Sequence, residues 1–180
     1  MKVSAIMNLI LLGFSNSGKS TMASYLSQKY NFSIYEISKY VMKEYNNQTQ
    51  YKTPIEFCDN CFLNGYLTKF TQIMIQDAIL DTSNKVFVGP RSIEEMKIIN
   101  DFFSDVQTVG ILADYRLRAT RHVISSRSKV NNGTLMDRDI IECKWGLKDR
   151  IILQSEYVID NSKDLDTFYR CIDNLILSYH

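Results

Sequence analysis

The chain has 180 residues, 45% hydrophobic and 23% charged, with a formal net charge of +1. That length fits one domain, residues 1–180, with its own core, and the near-neutral charge excludes a broad basic field for nucleic acid. No apolar run can span a bilayer, and Met1 to Met7 lack a signal peptide's separate apolar segment and cleavage site, so a cytoplasmic protein without a membrane partner is expected, and Met7 could be its start.

Asn8-Leu9-Ile10-Leu11-Leu12 is an apolar run that reads as a buried strand. Directly after it, Gly13-Phe14-Ser15-Asn16-Ser17-Gly18-Lys19-Ser20 matches the phosphate-binding loop G-x-x-x-x-G-K-[ST] in full, and Ser20 to Tyr30 reads as the helix that should follow. In such a loop Gly13 and Gly18 let the backbone approach the phosphates, while successive N–H groups and the positive end of the helix face the anion. Lys19 reaches the β and γ phosphates, and the Ser20 hydroxyl ligates magnesium. The ligands implied are a nucleoside triphosphate and Mg2+.

Ser33 to Ile37 reads as a short strand and Ser38 to Tyr45 as a helix; residues 46–53 are polar and loop-like, and Pro54 opens the next helix. From Pro54 to Leu80, apolar residues recur at near-helical spacing (Phe57, Phe62, Leu67, Phe70, Met74), which predicts two helices broken near Asn64-Gly65. Tyr40, Tyr45, Phe57 and Tyr66 could stack on the base of a ligand, but their helical spacing favours core packing. Cys58 and Cys61 form a C-x-x-C without a second pair, because Cys143 and Cys171 stand apart; this spacing favours structural thiols over a metal or redox site.

Lys85 to Gly89 is a β-branched strand leading into Pro90-Arg91. Ser92 can cap a helix to Phe103, with Glu94 and Glu95 at its positive end. Val106 to Ala113 is a further strand, Asp114 to Arg127 an Arg-rich helix, Ser128 to Gly133 a polar loop and Asp137 to Lys148 a helix. Tyr157 to Asp160 is the last strand and Leu165 to Leu177 the closing helix. The alternation predicts a parallel sheet with helices on both faces.

Arg116, Arg118, Arg121, Arg127 and Lys129 fall within fourteen residues, and Arg138 follows. Phosphoryl transfer uses this residue type, because guanidinium forks stabilise the charge that builds on the phosphate oxygens. A solvated basic helix face is the simpler alternative for any one of them. In Asp137-Arg138-Asp139 the carboxylates could orient these arginines, or Asp137 could cap a helix.

Several motifs follow in order: the phosphate loop, Gly89-Pro90-Arg91-Ser92-Ile93-Glu94-Glu95, the Arg118-x-x-Arg121 helix, Arg138-Asp139-x-x-Glu142-x-x-Trp145-Gly146-Leu147 and Tyr157-Val158-Ile159-Asp160-Asn161. Over nearly the whole chain this pattern resembles the small P-loop kinases that include dephospho-CoA kinase, its archaeal relatives and the nucleoside monophosphate kinases. The resemblance implies a three-layer α/β/α P-loop fold with a five-stranded parallel sheet and a small helical lid over about residues 116–139. It implies ATP and Mg2+ as cofactors and a nucleotide-like small molecule as acceptor. Gly13 to Thr21 would hold the ATP phosphates and Arg91 would lie near the acceptor. Arg118 and Arg121 would begin the lid, Arg127 would close it over ATP, Arg138 would reach the transferring phosphoryl group, and Asn161 to Lys163 would lie near the adenine.

Two departures stand out. The relatives commonly carry an acidic residue in the strand before Arg91, where this chain has Val88-Gly89-Pro90. After the second strand they place an Asp and an Arg that contact the acceptor; here Lys39 and Met42 stand in their positions, which makes Lys39, with Glu36 and Lys43, an acceptor-side candidate. Asp114, at the end of a strand, is a candidate magnesium-side carboxylate or base, or a helix cap. Three functions remain open: an ATP-dependent kinase acting on dephospho-CoA or a nucleoside monophosphate, a regulatory P-loop ATPase acting through a protein partner, and a binding module without turnover. The Asn/Thr-Lys-x-Asp motif that reads guanine in GTPases is absent.

Overall fold

The computed structural model describes residues 6–124 and 134–179. Its strands, β1 (Asn8–Leu12), β2 (Ser33–Glu36), β3 (Lys85–Val88), β4 (Val106–Leu112) and β5 (Tyr157–Asp160), form one sheet in the order β2-β3-β1-β4-β5, with every neighbouring pair parallel. The sequence explains why β1 lies at the centre. All five of its residues are buried, and because side chains alternate across a strand they feed two cores. Ile10 and Leu12 pack on one side with Val41, Phe87, Met74 and Ile99, and Leu9 and Leu11 pack on the other with Met22, Leu26, Phe168 and Ile172. Each such aliphatic side chain contributes roughly 1.5–3 kcal/mol when fully buried.

Helices α1 (Lys19–Tyr30) and α9 (Leu165–Leu177) cover the second core, while α2 (Ile37–Tyr45), α3 (Pro54–Leu63), α4 (Leu67–Ala78), α5 (Ile93–Phe102) and α8 (Leu147–Gln154) cover the first. The result is the expected three-layer α/β/α arrangement around a five-stranded parallel sheet. The chain breaks between α3 and α4 at Asn64-Gly65, as the spacing predicts. Cys58 and Cys61 are buried free thiols in the first core, and burial pushes the Cys58 thiol up, which makes it a poor nucleophile.

The lid region departs from the expectation at two points. Helix α7 (Leu135–Lys144) begins before Asp137: Thr134 is the N-cap, and Asp137 is the third helical residue of a capping box, accepting from the Thr134 N–H at 2.8 Å. The helix expected to run to Lys148 stops at Trp145, where Gly146 at φ +76° turns the chain into the separate helix α8. Between α6 (Tyr115–Ile124) and α7, Arg127 and Lys129 lie outside the described residues.

Candidate functional site

Ligands of open parallel sheets bind beyond the carboxyl ends of the strands, where the strand order reverses. Here β1 has β3 on one side and β4 on the other, and the loop leaving β1 is Gly13 to Gly18. It opens into a cleft of about 540 Å³. Gly13, Ser15, Asn16, Gly18, Lys19, Ser20 and Thr21 line that cleft from the loop side, and Asn161 lines it from the end of β5. Phe14 and Ser17 belong to the loop but turn away, Ser17 being buried.

The loop is shaped by close contacts rather than by open space. Gly18 has φ +115°, and a Cβ there would lie 2.2 Å from Asn161 Nδ2, so only glycine fits. Asn161 in turn donates to the Ser17 carbonyl at 2.8 Å. Asn16 sits in the left-handed region at φ +62°, which asparagine tolerates better than most residues, with its Nδ2 3.2 Å from His122 Nδ1. Lys19 Nζ donates to the carbonyls of Gly13 (2.6 Å) and Phe14 (2.9 Å). Burial, reinforced by Arg91 and Arg138, lowers its pKa to about 8 against the pull of Glu142 and Glu36.

Four basic side chains (Lys19, Arg91, Arg121, Arg138) and two carboxylates (Glu36, Glu142) line the cleft, giving it net positive character. Arg91 is set by the turn after β3. The fully buried Glu95 carboxylate accepts from the Arg91 N–H at 2.6 Å and the Ser92 N–H at 2.8 Å through one oxygen, and from the Thr71 hydroxyl at 3.1 Å through the other. Burial pushes the Glu95 carboxyl up, and these donors oppose the rise. The Arg91 guanidinium lies 5.8 Å from the Trp145 ring centroid, and Nη1 is buried without a hydrogen-bond partner among the described residues. Glu36 ends β2, level with Val88 of β3, and accepts from the Ser38 hydroxyl at 2.7 Å. An acidic residue is therefore present at this edge of the sheet, on the strand beside the one that runs into Val88-Gly89-Pro90.

Arg118, Asp114 and Lys39, also expected at the site, do not line the cleft, and neither do Ser162 and Lys163. The Arg118 guanidinium is committed elsewhere: it forms a bidentate pair with Asp139 (2.8 and 2.6 Å) and donates to the carbonyls of Ser15 (3.2 Å) and Ala113 (3.3 Å). Its neighbour one helical turn on, Arg121, reaches the cleft instead and donates to the Asn161 carbonyl at 3.2 Å. Asp114 is exposed and caps α6, accepting from the Arg116 N–H at 2.8 Å. Lys39 is exposed on α2. Arg127 lies outside the described residues.

Glu142 was legible in the sequence only as part of a motif and carried no role there. The structure shows its buried carboxylate accepting from the Ser15 N–H (3.0 Å) and hydroxyl (2.6 Å). Among the described residues no group of three or more His, Cys, Asp or Glu side chains is placed to hold a metal ion. No described helix is long and apolar enough to cross a membrane.

No family model matches the sequence, and no curated protein matches it. Solved structures do match the fold. A shikimate kinase from Bacteroides thetaiotaomicron superposes with a TM-score of 0.62 at 15% identity, over 96% of this chain and 98% of that one. A shikimate kinase from Acinetobacter baumannii, in complex with shikimate, gives 0.61 at 16% identity over 97% and 94%. The Aquifex aeolicus enzyme gives 0.59 at 20% identity over 96% and 95%. At these identities the likeness is one of fold: the chain shares the three-layer architecture of these shikimate kinases over nearly its full length.

Proposed function

We propose that the protein is an ATP-dependent small-molecule kinase, transferring the γ-phosphoryl group of ATP to a hydroxyl or phosphate oxygen of a small acceptor. The observation that carries this reading is the convergence of Lys19, Arg91, Arg121 and Arg138 on the cleft that the phosphate loop opens into. In phosphoryl transfer the protein mainly positions two substrates and stabilises charge on the moving group, and an anion-receiving loop facing several guanidinium groups in a partly enclosed cleft suits that task. The fold of shikimate kinases supports the same class of reaction.

The loop N–H groups and the N-terminus of α1 would bind the β and γ phosphates, and Lys19 would leave its two loop carbonyls to meet them. The Ser20 hydroxyl at the cleft wall fits a magnesium ligand, and the Glu36 carboxylate lines the same cleft. The ion would neutralise phosphate charge and orient the γ group. Asn161, packed against Gly18 at the end of β5, would border the nucleotide. Arg138 would stabilise the charge on the group in transfer. Arg91 would face an anionic group of the acceptor, and Glu36 with Ser38 would orient its hydroxyl. An anionic acceptor that also carries a hydroxyl fits these residues, and dephospho-CoA, a nucleoside monophosphate and shikimate all meet that description.

A second reading, a regulatory P-loop ATPase acting through a protein partner, is favoured by one feature: Val88-Gly89-Pro90 has no carboxylate at the end of β3. The test is ADP release with ATP and Mg2+ against a panel of shikimate, dephospho-CoA and the common ribo- and deoxyribonucleoside monophosphates. Stimulation by one acceptor, with a stoichiometric phosphorylated product, is expected. A flat panel with ATP still bound would overturn the kinase reading in favour of the regulatory one.

A further inference from the structure

Ser15 is the third residue of the phosphate loop, and both of its donor groups are already engaged by a carboxylate. Glu142, 8% exposed, accepts from the Ser15 N–H at 3.0 Å and from its hydroxyl at 2.6 Å. It reaches there from α7, 127 residues further along the chain. The loop's own cation points the same way: Lys19 donates inward to Gly13 and Phe14, and Glu142 is the carboxylate that most favours its charge. A loop built to receive an anion thus holds an internal one.

We propose that Glu142 is an internal counter-anion of the phosphate loop, which the nucleotide displaces, so that filling the loop releases α7 and the Arg138 it carries. This rests on reading residues 13–20 as a nucleotide-binding loop. The physics is a contest of like charges. A triphosphate entering the cleft meets the Glu142 carboxylate in surroundings poorer in water than bulk, where repulsion at short range is large. The two Ser15 bonds are exchanged for bonds to the nucleotide, and Lys19 turns from the loop carbonyls to the phosphates. Arg138 and Glu142 are four residues apart on α7 and both line the cleft, so one face presents a cation and an anion together. Once Glu142 withdraws, its negative charge no longer offsets Arg138 on the cleft side of α7. Lid position and loop occupancy are then linked: the acidic side chain lowers affinity for ATP and in exchange sets α7 according to whether ATP is present.

The chain has a single tryptophan, Trp145, at the end of α7, so its emission is an intrinsic reporter for the titration. MgATP binding is measured by Trp145 emission and by calorimetry for the wild type, Glu142→Gln and Glu142→Asp, with circular dichroism to confirm folding. Glu142→Gln keeps an acceptor for Ser15 but removes the charge and is expected to bind ATP about tenfold more tightly; Glu142→Asp keeps the charge and is expected not to tighten. An affinity for Glu142→Gln equal to or weaker than wild type would overturn the proposal and leave Glu142 a structural brace. If Glu142→Gln does not fold, Ser15→Ala, which removes the 2.6 Å hydroxyl contact, replaces it. Severalfold tightening supports the displacement, and no tightening sinks it. Failure of every protein, wild type included, to bind ATP would instead overturn the nucleotide-loop reading, and this proposal with it.

Discussion

Lys19 shows how one side chain's surroundings set its behaviour. Its pKa is lowered to about 8 from an ordinary 10.5, first by burial and then by Arg91 and Arg138, with Glu142 opposing. Two consequences follow from the sign of that shift. Between about pH 8 and 10.5 the unfolded chain binds the proton more tightly than the nucleotide-free fold does, so this group makes stability rise with pH across that window. Nucleotide affinity moves the other way, since the charged form attracts phosphate. ATP binding is expected to weaken as pH climbs through about 8, by up to roughly tenfold per unit, with proton uptake on binding. Calorimetric titrations from pH 7 to 9.5 check this, with Lys19→Ala as the control: it should bind weakly at every pH. A flat profile in the wild type would mean that Lys19 does not meet the phosphates.

At the scale of elements, α6 and α7 are docked onto the loop of residues 13–18 through Arg118. Its guanidinium joins Asp139 of α7 to the Ser15 carbonyl from a position on α6, with both charged partners largely buried: their side chains are 7% and 17% exposed. Removing one member of a buried pair leaves the other uncompensated. Arg118→Ala is therefore expected to cost about 3 kcal/mol in urea unfolding, at the low end of the range for such pairs because Asp139 keeps some exposure. Arg118→Lys should recover little of this, since an ammonium cannot reproduce the bidentate fork. A loss below about 1 kcal/mol would show that the pair acts as a surface contact.

The same residue marks the limit of what the sequence discloses. Arg118 and Arg121 lie on one helix with the same local pattern, and nothing in that pattern says which one a distant carboxylate will take. Asp139 takes Arg118, and Arg121 is left to face the cleft. Local signals read well: the apolar run of β1, the loop motif, the Ser92 cap and the break at Gly65 all sit where short-range chemistry puts them. Glu142 and Glu95 were not legible as site residues, because each gains its role from partners brought close by folding rather than by spacing. The turn at Gly146 was missed because an isolated glycine inside a helical pattern is often tolerated.

On the scale of the whole molecule, the loop connects both cores of the fold. It leaves the central strand β1 and enters α1, touches the end of β5 through Asn161, and is held by α6 and α7 through Arg118 and Glu142. A ligand bound there engages elements of both cores, so its binding energy is expected to couple to unfolding of both cores together rather than to local ordering. Binding to the folded state alone adds about 2.7 kcal/mol at a ligand concentration 100 times Kd. For a domain of this size that corresponds to a rise in Tm of roughly 5–10 °C. Differential scanning calorimetry with saturating MgATP should show the whole transition moving upward as one peak. Lys19→Ala should show no shift at the same concentration, because its Kd lies above it. A split endotherm, with only one component moving, would show instead that the sheet and the helices α6 and α7 unfold as separate units, and that the contacts from Arg118 do not join them thermodynamically.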